Sequence, residues 1–457
     1  MSYFDPGDQP DSFSLTALRK KFELLSNRNF RLLWISSLIV MLGDYFMFVA
    51  MPFLVMNLTD DRAAIGGIMA VGGIPRAIFI LFGGVLSDRF SPLVMMKYSR
   101  VLFGIIMIGM SALIMSEHVT LWMLYIFSVV MGTIGAFGMP AQMAILPRLV
   151  GREDLAPANA LTGGTSQLIS AIAPALAGVA VLYLSTGPLN SILSGVWPAF
   201  ADLPKRADLH GIGLAYAIDA ITIFLSMYAL WAIQLDEDED SRMPAHQGIL
   251  ASISEGFAYV WSDTALRAFI IYMAVTMFIS MGPQSVGMPV LADDRLEGMR
   301  AFGAMMSASG IGAVLGSLIA GVLTPSNRAL GTMMMLFAVV RGGATALIAF
   351  IESSLQGMVL MAVTGLLMGY SSIIFMTWIQ SRVQMEFLGR VMSLVMLSVM
   401  GLTPLSLAFS GWFIDVVGLS ALFVGVGIFM SLAAALALFS RDIRRMGEPP
   451  VRSPAGT

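Results

Sequence analysis

Cysteine is absent from this chain, so neither a disulfide framework nor thiol chemistry is open to it. Histidine is nearly as scarce: His118, His210 and His246 fall in predicted loops far apart, so the spans assemble no histidine metal site or catalytic triad. Charge is sparse too, at 12% of residues, and the net value of −3 carries no sign of nucleic-acid binding. Neither a Gly-x-Ser-x-Gly elbow, a His-Glu-x-x-His motif nor a Gly-x-x-x-x-Gly-Lys-Ser/Thr loop occurs. This argues against an enzyme or an ATP-driven pump, and no cofactor or metal is expected. Residues 1–29 are polar and mixed in charge, so no cleavable signal peptide is expected and the first span doubles as insertion signal.

What remains is apolar. Hydrophobic residues make up 57% of 457, with a mean hydropathy of +0.82. A spanning helix takes about 20 apolar residues, and the turn-forming and charged breaks leave twelve. They are expected near 30–57, 64–86, 93–115, 119–139, 157–184, 211–234, 266–290, 300–323, 330–351, 356–378, 389–413 and 418–440. The expected fold class is an all-α integral membrane protein, partnered by the lipid bilayer and not by nucleic acid, with monomer as the default. Placing both termini in the cytoplasm puts nineteen Lys and Arg residues inside, Arg100 among them, against five outside; that bias predicts the orientation.

An internal repeat divides the chain. Gly84-Val85-Leu86-Ser87, closing the second span, returns six spans later as Gly321-Val322-Leu323-Thr324, closing the eighth. Two six-helix bundles around a shared site is how alternating-access carriers are built. The segments are therefore a cytoplasmic N-terminal stretch 1–29, a bundle 30–234, a linker 235–265, a bundle 266–440 and a tail 441–457. Within the linker, Ile249, Ile253, Phe257 and Trp261 recur at helical spacing, as in an interfacial helix. The acidic run 236–240 reads as solvated linker, and the connection 185–210 as either an exit cap or an inert excursion.

The loop Gly84-x-x-x-Asp88-Arg89 resembles the cytoplasmic signature of the major facilitator superfamily between spans two and three. Asn29-Phe30-Arg31-Leu32-Leu33-Trp34, Leu42-Gly43-Asp44, Ile74-Pro75-Arg76, Ile145-Leu146-Pro147-Arg148-Leu149-Val150, Ala158-Asn159-Ala160-Leu161, Glu255-Gly256-Phe257 and Gly389-Arg390-Val391-Met392-Ser393-Leu394 follow in order. Together they are similar to the bacterial exporter branch that includes enterobactin exporters and macrolide efflux proteins. The resemblance implies a multi-pass protein of the bacterial cytoplasmic (inner) membrane. It also implies a cytoplasmic gate of Gly84, Asp88, Arg89, Gly389 and Arg390, in which Asp88 meets the start of span eleven, where the helix dipole favours an anion. Span five carries a relaxed form of an antiporter motif, with Pro174 and Gly178. The pattern departs at Ser91, Pro92 and Leu93, where a second Gly and a basic pair are usual, and at Ser128, where many antiporters place an arginine.

Charges inside spans carry the expected chemistry. Asp44 lies thirteen residues past Arg31 and Arg76 twelve before Asp88, so each is roughly 18–20 Å from the cytoplasmic face at 1.5 Å per residue. They are candidates for a buried ion pair, either opened when Asp44 takes up a proton or static. Arg341, thirteen residues past Arg328, reaches a similar depth. It either draws an anionic or carbonyl-rich substrate, reaches across to Asp44, or bonds to backbone carbonyls. Asp219 in span six is expected nearer the outer face, in a structural role. Phe30, Phe46, Phe48, Phe137, Phe278, Tyr370, Trp378 and some of the 37 Met suit a pocket for varied hydrophobic molecules, although most Met are packing. The expected function is proton-coupled export of a small amphipathic compound, drug-like or siderophore-like. The alternatives are an importer of a nutrient or siderophore, and a non-transporting scaffold or sensor.

Overall fold

Hydrocarbon leaves a backbone no water to bond, so each apolar run closes its hydrogen bonds within a helix. A computed structural model describes residues 24–87, 91–151, 154–186, 207–234, 249–323, 329–440 and 446. Among them every regular element is helical, and twelve spans are long and apolar enough to cross a membrane. The first six are α1 (Arg28–Leu58), α2 (Arg62–Ser87), α3 (Pro92–Met115), α4 (Leu121–Leu149), α5 (Leu155–Thr186) and α6 (Ala207–Trp231). A shorter helix, α7 (Ile249–Ser262), precedes the seventh span, which is built from α8 (Thr264–Gly282), a π-helical turn Pro283–Gly287 and α9 (Met288–Arg295). The last five are α10 (Gly298–Val322), α11 (Leu330–Ile348), α12 (Ser354–Arg382), α13 (Met385–Val416) and α14 (Leu419–Phe439). The repeated motif sits where the repeat predicts, with α2 ending at Ser87 and α10 at Val322. The expected fourth span stops short of the observed one: α4 continues to Leu149. His210, expected in a loop, lies in the first turn of α6.

Helix starts are set by polar caps. Asn27 accepts the backbone N–H groups of Asn29 and Phe30 at 3.0 and 3.1 Å, satisfying donors that a helix end otherwise leaves idle. Asp263 does the same for Ala265 and Leu266 at 3.0 and 3.1 Å, and also takes two hydrogen bonds from Arg382 at 2.7 and 3.0 Å. Burial alone would raise the Asp263 carboxyl, but the hydrogen bonds from Arg382 and from the Leu266 and Ala265 backbone hold it below its ordinary value. A carboxyl lowered by folding contributes stability in full above its unfolded value near 4, and loses it as pH falls through the lower folded value. The purified protein should therefore melt at lower temperature as pH falls below about 4. Asp263→Asn should melt roughly 2–4 °C lower at neutral pH and show no such acid step; an unchanged acid step would exclude this pair as its source.

Helices α1–α6 pack as one bundle and α8–α14 as the other, and the two meet chiefly through α5 with α10 and α2 with α13. These seams use the same end of the molecule. A methyl on Gly66 would land on the Leu407 carbonyl, one on Gly303 would land on the Pro174 carbonyl, and one on Gly178 would stand 2.8 Å from the Met299 carbonyl. Small residues let backbones approach this closely. The Ala175 N–H donates to Ser307 Oγ at 2.8 Å across the α5–α10 seam, and Arg62 pairs with Asp294 at 2.7 Å across the mouth. All these residues lie toward the end opposite the chain's first and last described helical ends. The bundles are thus closed at that end and part toward the end that carries the termini.

Candidate membrane-embedded charge site

Asp44 is the seventeenth residue of the 31 in α1, at mid-span, and yet it is exposed. One turn further on, Phe48 meets Phe302 of the other bundle with ring centroids 6.4 Å apart. On α2, Gly73 abuts Pro404 of the other bundle, and Arg76, also exposed, lies three residues nearer the open end. Both charges therefore sit just below these contacts, at the head of the space where the bundles part. They interact through space, and a second cation, Arg100, also acts on Asp44.

Arg100 corrects the count of cytoplasmic charges, to which its nearness to the charged turn assigns it. It stands eight residues past Pro92 inside α3, roughly 12 Å along that helix, and faces both Asp44 and Asp219. The expected span 93–115 already encloses it; counting it with the cytoplasmic charges hides an arginine that hydrocarbon makes costly without a partner.

Asp219 needs a second correction. It lies at the centre of α6, twelve residues from Ala207 and from Trp231, not near the outer face, and it is fully buried. Neither carboxyl oxygen receives a hydrogen bond, because the adjacent Thr222 hydroxyl donates to the Asp219 backbone carbonyl at 2.8 Å. Gly43, the neighbour of Asp44, gives Thr222 and Asp219 their room: a methyl there would land on the Thr222 hydroxyl and come within 2.6 Å of Asp219 Oδ1. Two acids and two arginines from α1, α2, α3 and α6 thus share one neighbourhood, formally balanced in charge. Charges at membrane depth are costly, which makes this concentration of them the candidate site.

The other expected residues fall elsewhere. Arg341, on α11, belongs to a separate cavity in the second bundle, lined also by Gln284, Ser309 and several Met, and does not reach Asp44. Pro174 and Gly178 lie on the closed α5–α10 seam. Gly389 is the fifth residue of α13, so the helix begins earlier than the expected Gly389-Arg390 start, and a methyl on it would meet nothing within 4 Å. Arg390 pairs with Glu255 of α7 at 2.7 Å and lies over the Phe387 ring. Gly84 is helical within α2, while Asp88 and Arg89 lie outside the described residues, as do 236–240 and 187–206. Among the expected pocket aromatics, Phe30 and Phe46 are core, Trp378 is buried and donates to the Met446 carbonyl at 2.8 Å, and Tyr370 donates to the Leu323 carbonyl at 2.7 Å. Ser128 is buried and offers no charge. No group of His, Cys, Asp and Glu among the described residues could hold a metal ion.

Comparison with known proteins agrees with this architecture. The enterobactin exporter EntS of Shigella flexneri is 25% identical over 362 residues, 79% of each chain, and that of Escherichia coli O1:K1 / APEC is 25% identical over 363, again 79% of each. Among solved structures, the nucleoside transporter NupG superposes with a TM-score of 0.69 at 14% identity, covering 91% of this chain and 100% of its own. A bacterial homologue of the human lysosomal transporter Spinster, inward-facing and unoccupied, gives 0.69 at 14%, covering 95% and 99%. These relatives are transporters, and this chain is a multi-pass membrane protein with the same fold. Residues 33–405 match the family described as Major Facilitator Superfamily, and the chain belongs to it.

Proposed function

We propose that this transporter exports a small amphipathic compound, drug-like or siderophore-like, in exchange for protons across a bacterial inner membrane. The observation that carries the reading is Asp44: an exposed acid at mid-span, opposed by Arg100 and Arg76, placed where the two bundles part. A carboxyl in that position is reached from one side at a time as the bundles rock. It takes up a proton from one side and gives it to the other, and the arginines respond to its charge. Asp219, behind Gly43, is the second acid whose charge the cluster must balance.

Several features support the assignment of sides and parts. Moving Arg100 into the membrane still leaves eighteen basic residues on the side of the termini against five on the other, so that side is cytoplasmic and the conformation is open inward. Residues 30–234 and 266–440 act as the moving bundles, joined by 235–265. Gly84, Asp88, Arg89, Gly389 and Arg390 close the cytoplasmic side in the outward-open state, with Arg390 tied to α7 through Glu255. Pro174 and Gly178, on the seam that closes outside, separate when it opens. The enterobactin exporters among the relatives support export and a siderophore-like cargo.

Efflux from cells expressing the protein tests the reading. A panel of lipophilic drugs and siderophores, with and without a protonophore, should include at least one compound whose expulsion the protonophore abolishes. Protonophore-sensitive accumulation would make the protein an importer.

A further inference from the structure

The second bundle contains a charge that no described residue of it compensates. Arg341 lies eleven residues past Leu330 in α11, roughly 17 Å into the span. Its guanidinium donates no hydrogen bond to any described residue, and its Nε is shut off from solvent. The group that acts on it is the Tyr272 phenol of α8, whose oxygen is likewise buried without a partner; no carboxylate among the described residues does so. The contrast with the first bundle is direct, since there two acids answer two arginines.

Arg341 lines a cavity whose other walls are soft and weakly polar: Met277, Met281, Met361 and Met430, with Gln284 and Ser309. Gln284 is brought there by the π-helical turn Pro283–Gly287 in the middle of the seventh span. Such turns interrupt helical register and recur at functional sites. Ser309 places the cavity against the seam, because the next residue, Gly310, abuts Ala171 of the first bundle.

An arginine at this depth is costly without a counter-ion, and the cavity offers open space where one would be expected. We propose that Arg341 binds the negatively charged group of the transported molecule, a carboxylate or similar oxyanion, in this cavity of about 70 Å³, whose methionines meet the apolar atoms next to that group. This rests on the transporter reading above and narrows its cargo to amphipathic anions. It also divides the labour: the proton is handled by the first bundle and the anion by the second, on either side of the seam whose closure links them. Planar guanidinium recognises carboxylate in two-point fashion, and flexible thioethers fit varied apolar shapes.

A matched probe pair tests the proposal: dansylglycine, an anion, and dansylglycinamide, its neutral counterpart, measured by fluorescence with the protein in nanodiscs of zwitterionic lipid. Wild type should bind the acid at least about tenfold more tightly than the amide. Arg341→Gln should bind the two alike, Arg341→Lys should recover part of the preference, and Arg62→Gln, which removes a positive charge at the closed mouth, should keep it. Equal affinities in wild type, no binding of either probe up to millimolar concentration, or an undiminished preference in a folded Arg341→Gln would each overturn the anion site. A preference that Arg341→Gln abolishes, in a protein that moves no compound under a proton gradient, would uphold the anion site while removing the export reading.

Discussion

Asp44→Asn should reduce gradient-driven transport to the level of protonophore-treated wild type, with insertion and melting temperature unchanged. The substitution is close to isosteric, and Asp44 receives no hydrogen bond from a described residue, so no network is broken. What disappears is the ability to carry a proton and to answer Arg100 and Arg76 with a charge. Passive exchange of substrate down its own gradient should survive in part, because the close backbone contacts that shut the seams, at Gly66, Gly178 and Gly303, do not involve the carboxyl. A variant that keeps full gradient-driven transport would remove Asp44 from the coupling mechanism and leave Asp219 as the remaining acid of the cluster. A variant that fails to insert would instead make Asp44 structural.

Substituting valine for glycine should give two different failures, depending on which seam is blocked. A methyl on Gly66 would meet the Leu407 carbonyl of the other bundle, and one on Gly365 the Ser309 carbonyl of the same bundle. Overpacking costs roughly 1–3 kcal/mol. Within a bundle that cost falls on folding, so Gly365→Val should lower the yield and melting temperature of the protein. Between bundles it falls on one conformation alone, so Gly66→Val should leave folding intact and shift the conformational equilibrium away from the inward-open form by about five- to 150-fold. The absence of cysteine makes the readout clean. The hydrogen bond from Ala175 to Ser307 places those backbones close enough for an introduced cysteine pair to be oxidised, and the disulfide yield reports the closed seam. Gly66→Val should lower that yield sharply. An unchanged yield would mean that the seam tolerates the side chain and does not open as a unit.

Much of this organisation is legible in the chain. Apolar length sets the twelve spans because hydrocarbon admits no unbonded backbone, and the sparse charges mark where each span ends. The mid-span positions of Asp44, Arg76 and Arg341 follow from counting residues. Their partners do not, since which helices touch depends on close approach at single glycines. Gly43 admits Asp219, and no periodicity announces that a fully buried acid on α6 lies behind an exposed one on α1. Arg100 is hidden for a different reason: a long side chain near a helix start is ambiguous between snorkelling outward and reaching inward. The aromatic residues mislead, because Tyr370 and Trp378 spend their polar atoms on backbone carbonyls and pack as core. The π-helical turn at Pro283–Gly287 leaves no clear mark in composition beyond the proline.

The most direct test of coupled exchange is proton movement itself. Purified protein in liposomes containing a pH-sensitive dye should show protons moving opposite to substrate when a compound from the efflux panel is added on one side. The signal should scale with substrate flux in wild type and vanish in Asp44→Asn. Substrate flux without proton movement in wild type, or equal proton movement in Asp44→Asn, would contradict the account.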